Sequence, residues 1–462
     1  MSYLLLLYII VAILLFIAYY LNGRDIITPS VMMCIVFFLS IVVAILNIKN
    51  WNIKYSLKAT IILSTGILVF VIADMIIYQI SKVRKKNYLI SKDEILKSNR
   101  VNIIDVELWK IVIIVIIELF TLIWQFLEIQ RITGIHSLSN IGLMVFTYKN
   151  VVSYSTALSA SELMSGMVNQ LTKITTVTAF IYIFIIINNV IEKIKPIKLL
   201  KYIPSILIYF IQSVLTGGRE CIFRTGCITI ISVYVLYHQK RGWEKNITYK
   251  YIKLGIFMVF IILPIFWLSK DLMGRTTQKT IFEYLSFYAG GSIQHFNQYI
   301  LDPPPANTVF GEESFVNIYT FLWKHGLSNF HRIIHLEFRW LNGYTRGNVY
   351  TFFRRLIQDF GITGMYIATF IIGITYSYIY HFKLWRQKKS YITSQWILIY
   401  SYIYYVILMS SIEQMIFGIL SVASFTTLIM QFFMFWFFTS VNITNKFKII
   451  VKFHKKKSHI RR

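Results

Sequence analysis

Runs of about twenty consecutive apolar residues recur along most of this chain, each long enough to cross a hydrocarbon core ~30 Å thick. A buried helix of a soluble protein needs only about 10–14 such residues, so the length and number of the runs point to a membrane. They fall at roughly 3–21, 27–47, 59–80, 108–128, 171–191, 199–216, 219–237, 251–269, 360–380, 394–412 and 418–439. The runs are continuous and do not alternate polar and apolar positions, which argues against a barrel of short strands. In lipid a helix satisfies its own backbone groups within one run. The expectation is an all-α polytopic membrane protein with about eleven transmembrane helices, within a range of about ten to twelve.

Charge placement supports this. The net charge of +27 would by itself suggest nucleic acid, but Lys and Arg sit in short stretches between the apolar runs and in the tail 446–462. Lys82, Arg84, Lys85, Lys86, Lys92, Lys97 and Arg100 fall in 81–107, and Lys193, Lys195, Lys198 and Lys201 in the next basic turn. Lys240, Arg241, Lys245 and Lys250 form a third group, and Lys383, Arg386, Lys388 and Lys389 a fourth. With eleven spans all of these and the C-terminus share one side, which the positive-inside rule makes the cytoplasm. The turn 48–58, with Lys49, Lys54 and Lys58, is expected on the opposite side against that rule. Cys34, Cys221 and Cys227 lie in or beside apolar runs without metal-ligand spacing and read as packing residues. The first run, with no basic segment before it and no small-residue cleavage site after it, reads as a retained span.

The chain is thus expected to be a single integral membrane domain over 1–462, with a basic cytoplasmic loop at 81–107 and two long segments outside, 129–170 and 270–358. The larger one holds Trp323, Trp340, many Phe and Tyr, and Pro303–Pro305. Such aromatic content argues for short helices capping the bundle and against disorder.

Charged residues at the outer ends of spans are the leads to chemistry, since each costs a few kcal/mol in lipid unless paired or used. The stretch Ser213-Val-Leu-Thr-Gly-Gly-Arg-Glu-Cys-Ile-Phe-Arg224 joins two spans through a tight Gly217-Gly218 turn. Arg219 stands at the rim, and Arg224 is about 7.5 Å further along the axis. Together they are expected to grip a pyrophosphate, although Arg224 paired to a carboxylate of another span is an even alternative. In the large loop, Arg275, His295, Glu313, His325, His331, Arg332, His335, Arg339, Arg346, Asn348 and Tyr350 stand out, and Gly347–Gly361 leads into the next span. There Arg355 and Asp359, spaced i, i+4, are expected to pair, leaving Arg354 for a ligand. His331 and His335 share that spacing, yet no metal is expected, because the acidic neighbour Glu337 would face elsewhere. Within the bilayer stand Asp74, Glu118 and Glu413. Glu413, nearest the outer face, is the candidate acid/base, with a simple Arg counter-ion as the alternative.

These motifs, in this order, resemble the Wzy-type polymerases of O-antigen, capsule and exopolysaccharide repeat units. The resemblance rests on Thr216-Gly-Gly-Arg219, Tyr288-Ala-Gly-Gly-Ser292, Phe310-Gly-Glu-Glu313, Gly347-Asn-Val-Tyr-Thr351, and Arg354 and Arg355 followed by Asp359-Phe-Gly361. It implies a GT-C-like helical bundle in a bacterial cytoplasmic membrane, with the large loop outside. It further implies a metal-independent, cofactor-free transfer of a growing glycan from undecaprenyl pyrophosphate to the non-reducing sugar of a new lipid-linked unit. A chain-length regulator and a flippase are the implied partners besides membrane lipids.

By resemblance, outer-face arginines act on the substrate, which maps onto Arg219 and then Arg224, Arg339, Arg346 and Arg354. Related ligases use arginines with a histidine, for which His295, His331 and His335 are candidates. Arg219, Arg224, His295 and Glu413 are thus the expected catalytic set. Arg275, Glu313, Arg339, Arg346, Asn348, Tyr350, Arg354 and Arg355 are the expected substrate-binding set. The chemistry fits: a pyrophosphate leaving group needs charge stabilisation and the acceptor hydroxyl needs a base, and neither needs a covalent nucleophile. An O-antigen-ligase-like enzyme and a flippase of the same lipid remain as alternatives. A flippase would show repeated halves and broken mid-membrane helices, which this sequence lacks.

Overall fold

In the computed structural model the described residues are 2–86, 103–154, 164–243, 280–329, 335–343, 345–443 and 449–451, together with Lys253, Pro264, Trp267 and Leu268. Ten helices among them are long and apolar enough to cross a membrane. The chain is an all-α polytopic membrane protein. The spans begin with α1 (Ser2–Leu21), α2 (Pro29–Leu46), α3 (Leu57–Lys86) and α4 (Leu108–Thr133). A shorter α5 (Ile141–Tyr154) precedes α6 (Gly166–Ile191), α7 (Ile203–Leu215) and α8 (Glu220–Lys240). Then come α9 (Ile281–Leu301) and α10 (Val316–Lys324), and a hairpin of β1 (Arg339–Leu341) and β2 (Thr345–Gly347). The spans α11 (Phe353–Tyr378), α12 (Tyr391–Met409) and α14 (Val422–Ser440) close the bundle, with the single turn α13 (Ile416–Ile419) between the last two. All ten coincide with expected spans. The expected span 251–269 lies, apart from four residues, outside the described ones.

Contacts between helix ends sort the turns into two groups. At one end Thr60 donates to the carbonyl of Tyr3, Asn297 to that of Lys54, and the Phe352 N–H to that of Ser410. At the other, Glu192 accepts from Lys240 (3.2 Å) and Lys389 (2.8 Å), and Lys201 pairs with Asp105. Burial raises the Glu192 carboxyl's proton affinity, but the two ammonium groups outweigh it and hold the group below the usual carboxylate range. The chain therefore starts at the first end and leaves α14 at the second, which requires an odd number of crossings. Lys240 belongs to the second end, while Trp267 lies against Tyr284 beside Arg219 at the first. The turn 48–56, against the charge rule, does share its end with the large loop.

The second end is tied by buried carboxylates in and around the α1–α2 turn. Asp74 of α3 accepts from Asn22, from the Ser30 N–H and hydroxyl, and from His381 (2.8 Å) just beyond α11. Asp25 accepts from Tyr234 of α8 (2.6 Å) and Tyr380 (2.5 Å). Burial pushes the Asp25 carboxyl above its usual range, against the pull of those two hydroxyls. One short turn thereby joins α1, α2, α3, α8 and α11.

At the first end α11 is broken. Gly361 has φ 69° and ψ −178° inside it, a region essentially restricted to glycine. The leading segment with Arg354, Arg355 and Asp359 is thereby re-aimed relative to the span. A Cβ at Gly361 would meet no atom within 4 Å, so the requirement is one of backbone conformation alone. Gly361→Ala should lower the unfolding midpoint of detergent-purified protein, a cost of about 1–3 kcal/mol. Gly418→Ala, equally open but with ordinary φ, should leave it nearly unchanged.

Candidate functional site

Four segments meet at the broken start of α11: the loop 307–315, the segment 335–350, the turn 410–415 and α9. The capping box of Thr280 and Glu283 starts α9, and its Gly290 lets the backbone pass close to α2. A Cβ there would lie 2.8 Å from Val43 and 2.9 Å from the Ala44 nitrogen. The Tyr288-Ala-Gly-Gly-Ser292 motif is thus a helix-packing device, and Ser292 donates to the Ser411 carbonyl (2.6 Å).

Arg354 is the centre of the cluster. Its side chain is 1% exposed and is gripped by Glu313 and Glu337, with its guanidinium over the rings of Tyr299 and Tyr350. Burial pushes the Glu313 carboxyl above its usual range, while Arg354 and Arg355 pull it back. Arg355 pairs with Glu413 (2.8 Å), reaches the Glu313 carbonyl (3.4 Å) and lies over the Phe417 ring. Asp359 accepts from Asn307 (2.6 Å) and from the N–H groups of Glu313 (3.0 Å) and Ser314 (2.7 Å).

Two expectations are corrected here. Arg355 does not pair with Asp359, because the loop's buried N–H groups take that carboxylate. Arg354 is not left open, because two carboxylates close over it.

The expected arginine pair also divides. Five residues at 100° each put Arg219 and Arg224 about 140° apart around α8. Arg219, 7% exposed, bonds the Tyr284 hydroxyl and lies over Tyr284 and Tyr288 of α9. Arg224 bonds Glu220 one turn back on its own helix (2.6 Å) and lies over Tyr402 and Tyr405 of α12. Its carboxylate partner is local and not on another span. Phe223 of the same turn packs against the buried cluster of Cys227, Tyr405 and Met409, as do Ile412 and Met415.

His295 is fully buried, and its Nδ1 faces the Val349 carbonyl at 3.0 Å. Burial pushes its imidazole down to about 4, so it is neutral near pH 7 and pins the strand leading into α11. Tyr350 donates to the Glu337 carbonyl (2.9 Å), and Asn348 is half-buried. In the hairpin, Arg339 reaches Asp302 (3.3 Å) and the Gln298 carbonyl. Arg346, exposed and opposite Trp340, lies over Phe338 and Trp340. His335 is exposed in a non-helical segment. Arg275, His331 and Arg332 lie outside the described residues. Among the described residues no group of three or more His, Cys, Asp or Glu is placed to hold a metal ion.

Sequence reasoning did not anticipate Glu337 as a partner of Arg354, the tyrosines of α9, or a cavity of about 490 Å³ beside the cluster. It follows α11 from Leu356 to Ile372, a rise of about 24 Å, between Phe310, Phe315, Phe360 and Leu420. Polar groups enter only at Ser314 and Gln414, which bond each other (3.3 Å). Its lining includes Ile367 and Ile371, both exposed on the flank of the bundle. Compared with protein-family models, curated proteins and solved structures, the chain matches none.

Removing Arg354 would strip the buried Glu313 and the partly buried Glu337 of the guanidinium they share. Arg354→Met should cost about 3–5 kcal/mol, read as a large drop in the unfolding midpoint. Adding Glu313→Gln to that variant should restore part of the loss.

Proposed function

We propose that this protein is a Wzy-type polymerase of undecaprenyl-pyrophosphate-linked oligosaccharide repeat units, and that it acts as a glycosyltransferase of the bacterial cytoplasmic membrane. The observation that carries the reading is the apolar cavity along α11 opening beside an arginine and carboxylate cluster at the same end. A long lipid with an anionic head asks for that combination, and the motif resemblance supplies the reaction. The lysine-rich end of the bundle then faces the cytoplasm, and the cluster faces outside.

In this reading the polyprenyl chain lies along α11 and its pyrophosphate meets guanidinium groups near the mouth. The bond from the anomeric carbon to the phosphate oxygen breaks, and the acceptor hydroxyl oxygen takes that carbon. Undecaprenyl pyrophosphate leaves with the electron pair. Arginines stabilise the charge gathering on it, and a carboxylate accepts the hydroxyl proton. Glu413, 21% exposed and bonded to Arg355, suits that role, because a phosphate oxygen competing for Arg355 would free it as a base. Arg219, ringed by tyrosines, offers a second guanidinium. The aromatic hairpin with Trp340 and Arg346 offers stacking faces for sugars.

The test is glycan length from purified, lipid-reconstituted protein given its lipid-linked repeat unit in EDTA. Wild type should give a ladder of products. Arg219→Ala and Glu413→Gln should each lower turnover about 10²-fold or more. Movement of the lipid-linked unit across the bilayer without a ladder would instead make the protein a flippase. A single addition to a different acceptor would make it a ligase.

A further inference from the structure

The helix α10 has no part in the arginine cluster or in that chemistry. None of its nine residues is buried, although six of them are aliphatic or aromatic. At 100° per residue, Asn317, Thr320 and Lys324 fall on one narrow stripe, and the six apolar side chains take the rest of the circumference. Ile318, Phe321 and Trp323 are exposed, and Leu327 just beyond the helix is 71% exposed. A contiguous apolar patch of this kind marks an interaction surface.

Two hydrogen bonds fix where the helix lies. Asn317 donates to the Phe417 carbonyl of α13 (2.8 Å), and α10 packs against both α13 and α14. The exposed Leu420, Val422 and Phe425 stand there, at the start of a membrane span. The Tyr319 hydroxyl donates to the Phe310 carbonyl (2.7 Å). Phe310, 72% exposed, lines the cavity together with Ile367 and Ile371 on the exposed flank of α11. Phe315, the residue before α10, lines it too. The apolar surface of α10 is therefore continuous with the flanks that two spans turn toward lipid.

We propose that α10 is an interfacial helix, lying in the membrane surface at the arginine end with its apolar arc covered by lipid and the stripe of Asn317, Thr320 and Lys324 turned away. Such a helix buries its apolar face about 5–10 Å into the boundary between headgroups and acyl chains. Tyr319 and Trp323 suit that depth, where amphipathic rings gather. The placement does not rest on the glycosyl-transfer reading.

The experiment attaches a nitroxide to the full-length protein in phosphatidylcholine and phosphatidylglycerol vesicles, at Phe321→Cys on the apolar arc and at Lys324→Cys on the polar stripe. The native cysteines are buried and stay unlabelled in the folded protein. The label at 321 should collide with oxygen, which concentrates in lipid, several-fold more than with a water-soluble nickel complex, and the label at 324 should show the reverse. Should Phe321→Cys fail to fold, Ile318→Cys on the same arc gives the same reading. Nickel dominating at both faces would place α10 in water and overturn the proposal. Protection of the apolar arc from both reagents would overturn it too, since a protein surface would then cover the helix.

Discussion

The arginine end of this protein depends on one buried guanidinium. Arg354 begins α11, and its two carboxylates come from separate loop segments, Glu313 from 307–315 and Glu337 from 335–350. An arginine 1% exposed is tolerable only because its charge and donors are matched. The match fixes three backbones at once. Tyr299 and Tyr350, stacked on the same guanidinium, bring α9 and the segment after the hairpin into the arrangement. Asp359, one turn along, closes the loop by taking two of its N–H groups. Gly361 then lets the segment depart from the axis of the span, so the cluster sits across the cavity's polar edge.

The opposite end uses the same physics with a different result. Asp25 and Asp74 are each surrounded by hydroxyl, amide, imidazole or backbone donors from several helices. They tie the helices together. The bundle is thus held at both ends by buried carboxylates, and the first end combines them with paired arginines and an apolar cavity.

The membrane spans were legible in the sequence because an apolar run of about twenty residues has few alternatives in lipid. The pairings at the arginine end were not. Arg354 finds Glu313 at a separation of 41 residues, and Arg355 finds Glu413 at 58, distances over which no local spacing carries information. The i, i+4 rule favoured Arg355 with Asp359, but such a pair contributes only about 0.2–0.5 kcal/mol. Leaving a buried N–H unsatisfied costs about 1–3 kcal/mol, so Asp359 goes to the backbone. The same rule does hold at Glu220 and Arg224, where no loop amide competes. The Gly-Gly pair of α9 was visible as a motif, although its physical content, a close approach to α2, needed the packing partner.

The charge balance of the cluster constrains where an anionic head could sit. Arg354, Arg355 and Arg339 are met by Glu313, Glu337, Glu413 and Asp302, so the centre offers no surplus of positive charge. A pyrophosphate drawn to the middle would meet carboxylates already holding the arginines. The rim differs. Arg219 is held through a tyrosine hydroxyl and two aromatic faces, and Arg346 lies on Phe338 and Trp340. Tyr284, Phe287 and Tyr288 of α9 form a strip between them, with Phe287 against Gly347. Guanidinium groups stack on aromatic faces and match phosphate oxygens bidentately. Arg355 differs from Arg354 in having one carboxylate partner, Glu413, which is 21% exposed and immediately precedes Gln414 of the cavity lining.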